Sequence, residues 1–84
     1  MKLIFSENAW EDYLYWQNTD KRNLNRINTL VKDILRNKYE GLGKPEPLKH
    51  NLAGYWSRRI NHEHRIVYKI ENDAILIAQL RYHY

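Results

Sequence analysis

Cysteine is absent from this 84-residue chain, so neither a disulfide framework nor a thiolate metal site can reinforce its core. A chain of this length makes one small domain, residues 1–84, near the size at which a single hydrophobic core is barely sufficient. No apolar run is long enough to cross a membrane, and Met1-Lys2-Leu3-Ile4-Phe5 lacks the length and cleavage site of a secretory signal. A cytoplasmic location without membrane contact is the expectation. Proline is nearly as scarce, and its two occurrences, Pro45 and Pro47, stand on either side of Glu46.

Aromatic residues are plentiful by contrast. Three Trp and seven Tyr compensate for the short chain, because each ring buries a large area. On that ground Trp10, Tyr13, Trp16 and Trp56 are expected in the core. The formal net charge is +4, and the excess is concentrated in residues 43–84, which carry seven Lys/Arg against four Asp/Glu. Basic charge interleaved with aromatics is the footprint of a nucleic-acid binder, although such a charge also serves plain solubility.

Lys2–Phe5 is a β-rich run, and Ser6 is suited to cap a helix from Glu7 to about Gln17. Asp20 can cap a second helix, Lys21 to about Asn37. Its Leu24, Ile27, Leu30, Val31, Ile34 and Leu35 fall on one helical stripe. Asn18-Thr19 makes a tight connection, so the pair forms an antiparallel hairpin. Gly41-Leu-Gly-Lys-Pro-Glu-Pro47 breaks any helix and reads as a surface loop. Strands follow at Tyr55–Ile60, His64–Ile70 and Ala74–Tyr82, joined by the short turns 61–63 and 71–73. The order β-α-α-β-β-β predicts an α+β fold, with the helical hairpin packed on one face of an antiparallel sheet.

Alternation along the strands assigns the faces. Ile66, Tyr68 and Ile70 share the apolar side, as do Leu76, Ala78, Leu80 and Tyr82. Arg59, Arg65, Arg81 and His83 are then expected on the open face, unless a bulge shifts the register. The chain closes on Arg81-Tyr82-His83-Tyr84, directly after an apolar strand. Histidine alone titrates near ~6.5 without perturbation. Glu46, restrained by its prolines, supplies a carboxylate, with Lys49 and His50 close behind. These groups suit metal-free RNA cleavage. Glu46 would take the 2′-hydroxyl proton, Arg65 would neutralise the crowded phosphate and His83 would protonate the departing 5′-oxygen. Tyr84 would orient the histidine or the phosphate. His62-x-His64 raises a metal site, but with no cysteine or acidic cluster nearby these are read as turn and strand-edge residues. No metal and no cofactor are expected. Composition and spacing alone lead to a small basic α+β domain and leave its RNA-directed role open.

Three segments carry a specific resemblance. Gly43-Lys-Pro-Glu-Pro-Leu-Lys-His-Asn-Leu-Ala-Gly-Tyr-Trp-Ser-Arg-Arg-Ile60, Glu63-His-Arg-Ile-Val-Tyr68 and Arg81-Tyr-His-Tyr84 resemble the YoeB toxins of the RelE/ParE superfamily. The opening Lys2-Leu-Ile-Phe-Ser6, with Trp10-Glu-Asp-Tyr13 and Tyr15-Trp16, is similar too, so the likeness spans nearly the whole chain. The resemblance implies a RelE-like fold and ribosome-dependent cleavage of A-site mRNA without a metal. It implies a YefM-like antitoxin as inhibitor, ribosome and mRNA as partners, and a homodimer as an assembly to test. The family's general base falls on Glu46, its arginine on Arg65, its general acid on His83 and its supporting tyrosine on Tyr84. Lys49 and Arg59 match positions that hold RNA phosphate. ParE-type relatives share the fold but inhibit DNA gyrase, and have no need to keep Glu46, Arg65 and His83 together. A pure RNA-binding module would avoid an acidic Glu46 against phosphate.

Overall fold

The computed structural model describes residues 1–82. Strand β1 (Lys2–Phe5) leads into helices α1 (Glu7–Thr19) and α2 (Lys21–Arg36), followed by β2 (Glu46–Pro47), a 3₁₀ turn (His50–Leu52), β3 (Trp56–Arg59), β4 (Arg65–Glu71) and β5 (Ala74–Gln79). One five-stranded sheet has the order β1-β5-β4-β3-β2. The α+β class and the hairpin of helices on the sheet are as expected. The sheet itself is mixed: β2 through β5 pair antiparallel, while β1 lies parallel to β5 with Lys2 opposite Ala74. The segment 41–47 is also more than a loop, since Glu46 and Pro47 pair with Ser57 and Trp56 as a short edge strand. Pro47 is tolerated there because an edge strand has one unpaired side.

Capping explains the helix boundaries. Ser6 Oγ accepts from the Ala9 N–H at 3.0 Å and donates to the Ala78 carbonyl at 2.8 Å, fixing the start of α1 to β5. Asp20 alone joins the helices. Its N–H closes α1 on the Trp16 carbonyl, and its carboxylate accepts from the N–H groups of Arg22 and Asn23 to open α2. The expected connection, Asn18-Thr19, is the last turn of α1 instead.

The core unites Ala9 and Trp16 of α1, Ile27, Leu30, Val31 and Ile34 of α2, and Ile66, Tyr68, Ile75 and Ile77 of the sheet. Burial of each large aliphatic contributes about 1.5–3 kcal/mol. Leu35 lies exposed at the edge of the predicted stripe. Trp10 departs from expectation in the same way, being 50% exposed. The core side of α1 runs through Ala9, Tyr13 and Trp16, and position 10 falls to its flank, where Trp10 stacks on Tyr13 and meets Phe5 edge-on. Tyr13 and Trp56 pack against the core half-buried.

Register resolves the faces. Between β4 and β5, Val67 pairs with Gln79 but Tyr68 pairs with Ile77, so Ala78 is a bulge. That extra residue puts Leu80 in the core with Ile75 and Ile77, while Leu76 pairs with Lys69 on the other face. The expected grouping of Leu76 and Ala78 with Leu80 fails for this reason.

Arg58 is the largest fully buried side chain, with 0% of its surface exposed. Its neighbour Arg59 points outward, so alternation drives Arg58 inward beneath the helices. The guanidinium donates to Asp33 Oδ2 at 2.6 Å, to the Leu42 carbonyl at 3.1 Å, to the Glu40 carbonyl at 2.8 Å and to the Asn37 carbonyl. Its Nε donates to the Tyr68 hydroxyl at 3.2 Å, which in turn donates to the Lys38 carbonyl at 2.8 Å. Every donor is satisfied by groups that would otherwise be orphaned after the end of α2. The Asp33 carboxyl is held below its ordinary value of 3.8, first by the Leu42 N–H and then by Arg58. Burial raises the Tyr68 phenol, partly offset by Arg58, so it stays neutral.

Arg58→Met, which keeps the bulk but strands an acid, a phenol and several carbonyls, should cost at least ~3 kcal/mol. The measurement is the urea unfolding midpoint at unchanged m value, and a loss below ~1 kcal/mol contradicts this account. Because the Asp33 carboxyl is depressed, its contribution is present above the unfolded carboxyl's range and lost as pH falls through the folded value. Stability should therefore drop below about pH 4, and Asp33→Asn should flatten that dependence while lowering the plateau.

Candidate active site

The loop after α2 is pinned at each step before it delivers Glu46. The Leu42 N–H reaches Asp33, the Leu42 carbonyl reaches Arg58, and the Gly43 carbonyl accepts from the Arg59 N–H at 2.7 Å. Gly43 has φ +81, and a Cβ there would meet Leu30 Cδ2 at 2.9 Å and Arg58 Cβ at 3.1 Å. Only glycine lets the loop cross that close to α2 and β3. Glu46 then pairs directly opposite Ser57.

Cross-strand partners share a face, and so do residues two apart along a strand. Glu46, Ser57, Arg59, Arg65 and Val67 therefore lie on one side of the sheet, opposite the helices. Two strand spacings separate the Glu46 and Arg65 backbones by about 10 Å across the ladder, with about 7 Å of offset along it. That backbone separation has the scale of a phosphodiester with its flanking sugars. Arg59 stands directly opposite Arg65. Opposed like charges destabilise a sheet, so this pairing carries a local cost.

Arg65 is oriented before any ligand arrives. Its Nη1 donates to the carbonyls of Asn61 at 2.8 Å, His62 at 3.2 Å and His64 at 3.2 Å. Among the described residues its Nε and Nη2 make no hydrogen bond, and they are its remaining donors. The supporting turn is rigid, because Asn61 Oδ1 accepts from the N–H groups of Glu63 and His64, both at 2.8 Å. Lys49 is exposed at the start of the 3₁₀ turn and lines, with Glu46 and His50, a recess beside β2.

Arg81 was expected on this face and is not there. Strand β5 ends at Gln79, and Arg81 turns to the α1 side, its guanidinium carbon 3.5 Å from the centre of the Tyr15 ring and 4.6 Å from that of Tyr82. His83 and Tyr84, expected as acid and supporting group, lie outside the described residues. His62 is exposed in its turn, whereas His64 is 8% exposed and packs edge-on against Trp16. Among the described residues no group of three or more His, Cys, Asp or Glu gathers as metal ligands would. The sequence reading missed Arg58 and His64. The adjacent Arg58-Arg59 pair held the signal for the first, since neighbours on a strand must face opposite ways.

A helical hairpin on a five-stranded mixed sheet, with a carboxylate and two arginines on the open face, has the RelE-like toxin architecture. Residues 5–84 match the YoeB-like toxin of bacterial type II toxin–antitoxin systems, and the chain belongs to that family. Toxin YoeB of Escherichia coli strain K12 is 64% identical over 84 residues, covering 100% of both chains. The YoeB/ParE toxin from Agrobacterium tumefaciens superposes with a TM-score of 0.98 at 48% identity, over 100% of each chain. A Staphylococcus aureus YoeB, solved as a dimer, gives a TM-score of 0.93 at 54% identity over 100% of this chain and 98% of that one. The YoeB–YefM complex from the same organism gives 0.92 at 53% identity, with the same coverage.

If Arg59 and Arg65 oppose each other without a structural gain, removing one charge should not harm the fold. Arg59→Ser should raise stability by ~0.2–1 kcal/mol in low-salt buffer, and the gain should shrink in high salt as screening weakens the repulsion. Urea unfolding at the two salt concentrations is the check. A destabilised variant would mean that Arg59 supports the sheet.

Proposed function

We propose that this chain is a ribosome-dependent endoribonuclease that cleaves mRNA in the A site and so arrests translation. The observation that carries the reading is the β2–β3–β4 register, which sets Glu46 on the same face as Arg59 and Arg65. Membership of the YoeB-like toxins supports it. Glu46 takes the proton of the 2′-hydroxyl as the 2′-oxygen attacks phosphorus. Arg65 neutralises the charge that accumulates on the non-bridging oxygens. His83 gives its proton to the 5′-oxygen as the P–O5′ bond breaks, with Tyr84 supporting the chemistry. Lys49 and Arg59 hold flanking phosphates. The products are a 2′,3′-cyclic phosphate, opened by water to a 3′-phosphate, and a 5′-hydroxyl. No metal takes part. The reaction belongs to the cytoplasm, where the mRNA and ribosomes are.

A YefM-type antitoxin is the proposed inhibitor, because the related S. aureus toxin is solved in complex with YefM, and the S. aureus dimer supports a homodimer here. An acidic antitoxin segment that orders on binding would cover the basic open face. Expression of the chain alone should stop protein synthesis, and its antitoxin should restore growth. Continued protein synthesis with broken DNA would instead indicate gyrase inhibition.

Single-turnover cleavage of ribosome-bound mRNA tests the chemistry. Glu46→Gln and His83→Gln should each slow cleavage by ~10²–10⁴-fold, and the wild-type rate should survive chelation that leaves the ribosome intact. A 5′-phosphate product, or zinc-specific rescue after chelation, would refute the assigned roles.

A further inference from the structure

The last described residue, Tyr82, is anchored more firmly than a chain terminus ordinarily is. Its N–H donates to His64 Nδ1 at 2.7 Å, and its carbonyl accepts from the Arg65 N–H at 3.1 Å. Its ring lies 5.6 Å from that of His64. Tyr82 has φ +63, in the left-handed region that a residue with a Cβ rarely occupies. Such a conformation persists only where its surroundings over-determine it, and here the adjacent residues 64 and 65 bind both of its backbone polar groups. His64 is itself immobilised, with its ring 4.8 Å from Trp16, its N–H on Asn61 Oδ1 and its carbonyl accepting from the Ile60 N–H at 3.0 Å.

We propose that His64 is a positioning residue for the cleavage reaction: its Nδ1 fixes the backbone of Tyr82, the residue to which His83 is joined. The inference rests on the reading of His83 as general acid. Accepting at Nδ1 requires the tautomer whose proton is on Nε2, the nitrogen that faces Glu63 Oε1 at 3.7 Å. The part of His64 is to hold Tyr82, the residue before the proposed proton donor, from the same turn that orients the Arg65 guanidinium.

The test compares three variants of the full-length chain. His64→Phe keeps the ring against Trp16 but removes the acceptor. His64→Asn restores an acceptor near the Nδ1 position, and His64→Gln puts one near Nε2 instead. A misplacement of about 1 Å costs ~10²-fold in rate, so His64→Phe should cleave ribosome-bound mRNA ~10²-fold more slowly at unchanged ribosome affinity. His64→Asn should recover at least about tenfold of that loss, and His64→Gln should not. In the wild type, a ¹⁵N–¹⁵N coupling across the hydrogen bond between Tyr82 N and His64 Nδ1 reports the anchor independently of activity. His64→Phe cleaving within about threefold of wild type overturns the proposal, as does equal activity of the Asn and Gln variants. Should His64→Phe fail to fold, the Asn and Gln variants decide alone. A wild-type chain that shows the coupling but cleaves no mRNA overturns the nuclease reading, and the role of His64 in it; cleavage without the coupling overturns only the His64 assignment.

Discussion

A single buried cation organises the half of the molecule that carries the proposed chemistry. Arg58 cannot sit beneath α2 unless its charge and all of its donors are met, and the groups that meet them belong to α2, to the segment just after it and to β4. The requirement works in both directions. Carbonyls at 37, 40 and 42 need donors once the helix has ended, and the guanidinium collects them into one turn. That turn places Gly43 against β3, and from there the chain has only to run to Glu46. The position of an exposed carboxylate is thus fixed by a residue with no surface of its own.

Departures from low-energy structure are spread over the turns at both ends of the sheet. Arg59 opposes Arg65, and Lys44, His50, Asn72 and Tyr82 have positive φ. Among the described residues, Arg81 Nε is a buried nitrogen without a hydrogen-bond partner. The α1–α2 hairpin carries no positive φ, in keeping with its role as a support for the sheet.

Much of this was legible in the sequence because local rules were obeyed. Ser6 and Asp20 cap as their chemistry suggests, the stripe from Ile27 to Ile34 is buried, and the three-strand meander follows the turn residues. Errors arose where a long-range contact outweighed the local pattern. Nothing near Lys2–Phe5 indicates a parallel partner some seventy residues away. The bulge at Ala78 has no glycine to announce it, yet it reverses the faces of the residues beyond. Trp10 was assigned by residue type where helical phase should have decided. His64 read as a strand-edge residue because its partners, Trp16 and Tyr82, are distant in the chain.

The parallel pairing of the first described strand with the last has a consequence for the order of folding. Lys2–Phe5 finds its partner only in Ala74–Gln79, and Asp12 and Trp16 of α1 both wait for Leu80, whose N–H and carbonyl they bind. These contacts span nearly the whole described chain, so the helical hairpin can form from local contacts, whereas the sheet closes only when its first and last described strands meet, a non-local step that is intrinsically slow.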